Sequence, residues 1–153
     1  MNAVILISFA LFTSTYALTG DECLEENKTE QNNLKIVLSF YEAAFGQHNI
    51  SAVDEYISPD YIQHNPHVAD GRQPLKDFLV PFNAIKTKGP VDIRHTAVNG
   101  DMVWLHLKTT GFNGEPLAII DIFRVKDSKI VEHWDVIQEI PSLSASKNSH
   151  PMF

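Results

Sequence analysis

The chain reads as an α+β fold, with N-terminal helices packed on one face of a curved antiparallel sheet. Two observations point there. Apolar residues recur at three- and four-residue spacing in the first half and at two-residue spacing from Val91 onward. Turn signals then cut the second half into four strand-like runs, and helices followed by a meander place the helices on one sheet face. A length of 153 residues suits one domain with a proper core. The hydrophobic fraction of 44% and charged fraction of 20% are those of a globular fold, not a disordered one.

The first helix begins at about Thr29. Leu34, Val37, Leu38, Tyr41, Ala44 and Phe45 form its apolar stripe, and Gly46 is a natural stop. A shorter helix follows, with Asn49 or Ser51 as N-cap and Val53 and Tyr56 facing in. Ser58-Pro59-Asp60 breaks it. A third helix opens after Asp70-Gly71, with Pro74 near its first turn and Leu75, Phe78 and Leu79 inside; Pro81 and Gly89-Pro90 punctuate its end. The strands fall at about 91–98, 102–110, 116–125 and 129–137, with 61–63 a candidate fifth. Asn99-Gly100 is a strong hairpin dipeptide, and the segments 111–114 and 126–128 supply the other turns.

The ends read differently. Residues 3–12 are nearly all apolar, and Thr13-Ser14-Thr15-Tyr16-Ala17 offers a cleavage point after Ala17, so 1–17 reads as a signal peptide too short to span a membrane. A buried N-terminal helix or strand is the alternative, since no Lys or Arg precedes the apolar run. Residues 18–29 then form a linker, 30–140 the domain, and 141–153 a Ser-rich flexible tail. Two sequons make Asn27 and Asn49 candidate glycosylation sites, in keeping with an extracellular address. Cys23 is the only cysteine, so no intramolecular disulfide can form. A formal charge of −7 without a basic cluster argues against nucleic acid, or a membrane after signal cleavage, as a partner.

Among polar residues, Asp121 stands out. It alternates with Leu117, Ile119 and Phe123 on an apolar strand face, where a carboxylate is costly unless paired or used. If the next hairpin pairs Val125 with Ile130, Asp121 opposes Trp134 and Phe123 opposes Glu132, while Arg124, His133 and Asp135 take the other face. A shift of one residue would exchange the two faces and bring His133 in. His64, in Tyr61-Ile62-Gln63-His64-Asn65-Pro66, sits at a bend that can aim an imidazole into a cavity. His106 reads first as a half-buried sheet histidine and second, with Tyr61, Trp134 and Phe123, as a lining residue. The histidine spacings match no compact metal motif, and no nucleophilic serine elbow, phosphate loop or dinucleotide fingerprint is present, so neither metal nor cofactor is expected.

Helices before a meander, the Tyr61–Pro66 segment, Asn99-Gly100-Asp101, Asp121-Ile122-Phe123-Arg124 and Lys129-Ile130-Val131-Glu132-His133-Trp134-Asp135-Val136 together resemble the SnoaL-like branch of the nuclear transport factor 2-like superfamily. The resemblance covers about 34–140. It implies a cone-shaped fold around a deep apolar pocket and cofactor-free acid/base chemistry of the aldol-cyclase or isomerase kind on an apolar carbonyl compound. It places Asp121 as the acid/base group and His64 as the motif histidine orienting the substrate oxygen, with Trp134 and Phe123 as apolar wall. Carriers of hydrophobic ligands without catalysis share the fold, so both functions stay open.

The meander is apolar on both faces. Ile120 and Ile122 alternate with Ile119 and Phe123, and Trp104 with Val103 and Leu105. A half-solvated sheet should instead alternate apolar with polar residues, so a twofold homodimer through the sheet is expected, with Arg124, His133 and Asp135 near the contact. The tail folding back over the sheet is the alternative.

Overall fold

The computed structural model describes residues 20–153, with side chains from Leu24 onward. The proposed signal segment and the Cys23 side chain lie outside the described residues. Three α-helices and five strands follow in the order α1 (Gly20–Tyr41), α2 (Ala52–Tyr56), β1 (Ile57–Gln63), α3 (Arg72–Ala84), β2 (Asp92–Asn99), β3 (Met102–Thr110), β4 (Pro116–Lys126) and β5 (Lys129–Glu139). The helix before the domain starts at Gly20, so most of the stretch expected as a linker is helical. Helix α3 runs through Pro81 and ends three residues later, between the two punctuation points read from the sequence.

Helix α1 passes directly into a π turn, Glu42–Gly46, closed by the Gln47 N–H donating to the Glu42 carbonyl at 2.8 Å. Such turns insert one residue into the helical ladder and are frequent at functional sites. This one follows Tyr41. Asn83 on α3 reaches back to the Ala44 carbonyl at 2.8 Å, fastening α3 to the same turn.

The sheet is mixed rather than wholly antiparallel. Its order is β1-β5-β4-β3-β2, and β1 joins the edge parallel to β5. The candidate strand at 61–63 is thus the end of a seven-residue strand. Val37, Phe40 and Val53 from the helices, Leu75 and Leu79 from α3, and Val103, Leu105, Phe123, Val125 and Ile130 from the sheet close into one core. They occupy the inner face because strand side chains alternate. Residues 141–153 form neither helix nor strand. The last of them, Phe153, lies on the outer face with its ring 4.9 Å from that of His106, beneath the Arg94 guanidinium.

The β4–β5 hairpin decides which side chains reach the interior. Asp127 and Ser128 both adopt positive φ, of 49° and 59°, in a two-residue loop between Lys126 and Lys129; such primed turns match the twist of the flanking strands. Val125 pairs with Ile130 as expected, but Arg124 then pairs with Glu132, leaving Val131 as an extra residue. This β-bulge shifts everything beyond it by one position. Asp121 therefore opposes Asp135, Ile122 opposes Trp134, and Phe123 opposes His133. The expected pairing of Asp121 with Trp134 is wrong for that reason alone: His133 and Asp135 turn inward, and Trp134 turns out.

Candidate active site

A cavity of about 590 Å³ opens between the helices and the inner sheet face. Its deep end is polar. Asp121, only 4% exposed, accepts a hydrogen bond at Oδ2 from the Tyr41 hydroxyl, delivered by the last residue of α1. The other oxygen, Oδ1, lies 2.9 Å from His133 Nε2.

Gln63 fixes the state of that histidine. Its Nε2 donates to the Tyr61 hydroxyl at 3.1 Å, so its Oε1 faces the other way, accepting the Asn65 backbone N–H at 2.9 Å and lying 2.8 Å from His133 Nδ1. A carbonyl oxygen only accepts, so Nδ1 carries a proton. The contact between Nε2 and Asp121 Oδ1 then holds one further proton, on the imidazole or on the carboxyl. Tyr61 has one lone pair occupied by Gln63, which leaves its own hydrogen free to donate into the cavity.

Both tyrosines are held in the donating form. Burial, and then the nearby Asp121 carboxylate, push the Tyr41 hydroxyl well above the usual tyrosine value. The same two causes, in the same order, raise Tyr61. Asp135 lies beside this group, with Oδ2 accepting from Asn65 Nδ2 at 2.5 Å. Two carboxylates directly opposed across strands repel unless positive charge or a proton lies near. Asp121, His133 and Asp135 offer ligand atoms within 4.8 Å of one another and are the group, among the described residues, that could hold a cation. Doing so would require His133 Nε2 to lose both its proton and its contact with Asp121.

One wall of the cavity is aromatic. Tyr41 stacks on Phe45 at 4.7 Å, Phe45 meets Phe82 edge-on at 5.9 Å, Phe82 stacks on Phe78 at 5.4 Å, and Phe112 closes edge-on over both. Offset and edge-to-face contacts of this kind make a rigid apolar wall.

Of the residues read from sequence, Asp121, Phe123 and Tyr61 line this cavity. His64, Trp134 and His106 do not. Alternation from inward Tyr61 sends Gln63 and Asn65 in and His64 out, where its ring stacks on Trp134 at 4.6 Å and its Nε2 meets Glu132 at 2.8 Å. The bulge at Val131 accounts for Trp134. His106 follows inward Leu105 and faces outward against His95, with the two Nδ1 atoms 3.1 Å apart. Tyr41, Gln63, Asn65 and Asp135 were not placed in the site from sequence, and His133 entered only as the alternative of a one-residue shift. The same alternation would have found Gln63 and Asn65; His133 and Asp135 needed the bulge.

Comparison with known proteins agrees with this architecture. The SnoaL-like domain profile matches residues 37–133. The chain belongs to the SnoaL-like family. No curated protein sequence matches it. Among solved structures it resembles a candidate polyketide cyclase from Bacillus cereus, with a TM-score of 0.59 and 22% identity over 78% of each chain. It also resembles a nuclear transport factor 2-like protein from Mesorhizobium loti, with a TM-score of 0.57 and 23% identity over 71% of this chain and 93% of that one. A third is TsrD from Streptomyces laurentii, with a TM-score of 0.58 and 18% identity over 69% and 87%. At these identities the likeness shows the SnoaL-like fold.

Proposed function

We propose that this SnoaL-like protein catalyses cofactor-free proton transfer on an apolar carbonyl compound, in the manner of an aldol cyclase or isomerase. One observation carries the reading: the hydrogen-bonded series Tyr41–Asp121–His133–Gln63–Tyr61 at the deep end of a cavity with an aromatic wall. The Tyr61 hydroxyl donates to the substrate carbonyl oxygen. Asp121 removes the α-proton through a lone pair not used by Tyr41 or His133, and charge moves onto the oxygen facing Tyr61. The resulting enolate attacks a second carbonyl, whose new alkoxide takes the proton from Asp121, or takes that proton back at another carbon. Throughout, His133 keeps the proton of their shared contact on Nε2 and holds the carboxylate in place, so that Asp121 is free to carry the substrate's proton.

The α-hydrogen–deuterium exchange of 2-tetralone in D₂O, followed by NMR, tests this without the natural substrate. The wild-type chain should accelerate exchange, and Asp121→Asn should remove about 10²- to 10⁴-fold of it, the usual share of a general base. Equal exchange by the variant would remove Asp121 from the mechanism. A binding-only reading is favoured by a different fact: both Asp121 oxygens already have partners, as in a purely structural carboxylate. Saturable binding of the ketone without any exchange would select it.

We further propose that the protein enters the secretory route and is glycosylated. Asn27 and Asn49 are both exposed, in support. The Asn49 side-chain oxygen accepts from the Ser51 backbone N–H at 3.1 Å and from its hydroxyl at 2.6 Å, which leaves the amide nitrogen open. A homodimer through the outer face remains the reading we favour for assembly, built on Trp104, Ile120, Ile122 and Arg124. His133 and Asp135 face the cavity and drop out of that contact. Light scattering at micromolar concentration giving a monomer mass would refute it.

A further inference from the structure

The mouth of the cavity carries a cation with no acidic partner. Lys86, just past the end of α3, lines the cavity with its ammonium 4.5 Å from the centre of the Phe82 ring. It donates to the Thr110 carbonyl and lies 3.4 Å from Thr109 Oγ1. An ammonium has three donors, so one remains. Among the described residues Lys86 enters no ion pair. Partial removal from water lowers Lys86 from the usual lysine value, and no neighbouring carboxylate raises it again. A half-desolvated, unpaired cation on an aromatic wall is complete only when an anion arrives.

The sheet register places this cation relative to the polar end. Asp121 pairs with Leu105, and Thr109 lies four residues further along β3. At a rise of roughly 3.3 Å per residue, Lys86 therefore sits about 13 Å from Asp121 along the strand. Between them run Phe45, Phe82 and Ile119, and Phe112, 55% exposed, forms an apolar lip. Glu139, paired with Leu117, faces the mouth two strands away from Thr109, roughly 10 Å at the usual strand spacing. Asp92 also lines this cavity, next to Lys108, but its carboxylate is taken by the Arg94 guanidinium at 2.8 Å, so an anion is favoured at the Lys86 side of the opening and disfavoured at Glu139.

We propose that the ligand is an elongated apolar acid, with a carbonyl at one end for Tyr61 and Asp121 and a carboxylate at the other for Lys86. This deepens the catalytic reading and rests on the same cavity. Binding energy at Lys86, remote from the reacting carbon, would set how far the carbonyl penetrates and so hold it against Tyr61.

The test uses 3-(6-acetylnaphthalen-2-yl)propanoic acid and its primary amide, titrated against the whole protein by fluorescence. The wild-type chain should bind the acid about tenfold more tightly than the amide, the size of one charge-assisted hydrogen bond. Lys86→Met should erase the preference and Lys86→Arg should retain it, with thermal melts confirming that both variants fold. Asp121→Asn should retain it too, so a missing catalytic step and a missing carboxylate site give different results. Equal affinity of acid and amide for the wild type, a preference surviving in Lys86→Met, or no binding of either probe would each overturn the proposal. Acid-selective binding with no α-proton exchange would leave this site standing and discard the catalytic reading.

Discussion

The two faces of β4 and β5 carry nearly the same parts. Inside, His133 meets Asp121 at 2.9 Å next to Tyr41 and Phe123; outside, His64 meets Glu132 at 2.8 Å next to Trp134. Each is a histidine, a carboxylate and an aromatic ring, set back to back on one sheet. Their surroundings differ. The inner side chains are 11% and 6% exposed, the outer 40% and 19%, and the outer carboxylate also receives the Arg124 guanidinium at 2.9 Å. In water-accessible surroundings a full countercharge makes the outer pair an ordinary surface salt bridge. In the cavity the pair is satisfied by neutral partners, Tyr41 donating to the carboxylate and Gln63 accepting from the imidazole, and faces an open volume. Enclosure, not residue type, separates the two pairs.

The strongest way to break that comparison is to neutralise each carboxylate in turn. Asp121→Asn should lower ketone exchange by about 10²- to 10⁴-fold, and Glu132→Gln should leave it within about twofold. Comparable losses from both would mean that enclosure does not separate the two pairs. Next in size is Tyr41→Phe. It leaves Asp121 buried without one of its donors, at a cost of about 1–3 kcal/mol read by urea melts. By contrast His64→Ala should cost no more than about 1 kcal/mol in the same measurement.

The pH dependence sharpens the contrast. Tyr41 and Tyr61 titrate at raised values in the folded state. Their contribution is therefore fully present below pH 10, the ordinary tyrosine value, and is lost as pH climbs through the folded values. Wild type should lose stability above pH 10 more steeply than Tyr41→Phe. On the outer face, the hydrogen bond from His64, helped by Arg124, holds Glu132 below its ordinary 4.5. Its contribution is present above 4.5 and fades as pH falls below it, an effect that His64→Ala should blunt in acid melts. The smallest expected effect is at Asn49→Gln, which should leave melting unchanged while removing one glycan from protein made in a secretory host.

Much of this was legible in the sequence. Periodicity gave the three helices and the four strands of the meander, and the cost of burying Asp121 among Leu117, Ile119 and Phe123 pointed to the pocket. What stayed hidden has a common cause. A β-bulge leaves no reliable composition signature, and Val131 looks like any strand valine, yet it decides whether His133 or Trp134 looks inward. The parallel docking of β1 on β5 was hidden as well, because parallel partners are joined by long connections rather than by a recognisable turn. With β1 undocked, Gln63 had no visible link to His133.

Val131 gives the strand something like a reading frame. It is the one residue of β5 that the pairing with β4 skips. Removing it should therefore let Ile130 run straight into Glu132 with every later pair preserved. Adding one residue after Glu132 should instead turn His133 and Asp135 to the outside and carry Trp134 into the cavity. The identity of the site thus depends on counting as much as on chemistry: a protein with all the same letters, but spelled one position late along this strand, would keep its sheet and Asp121 and lose the imidazole that meets it.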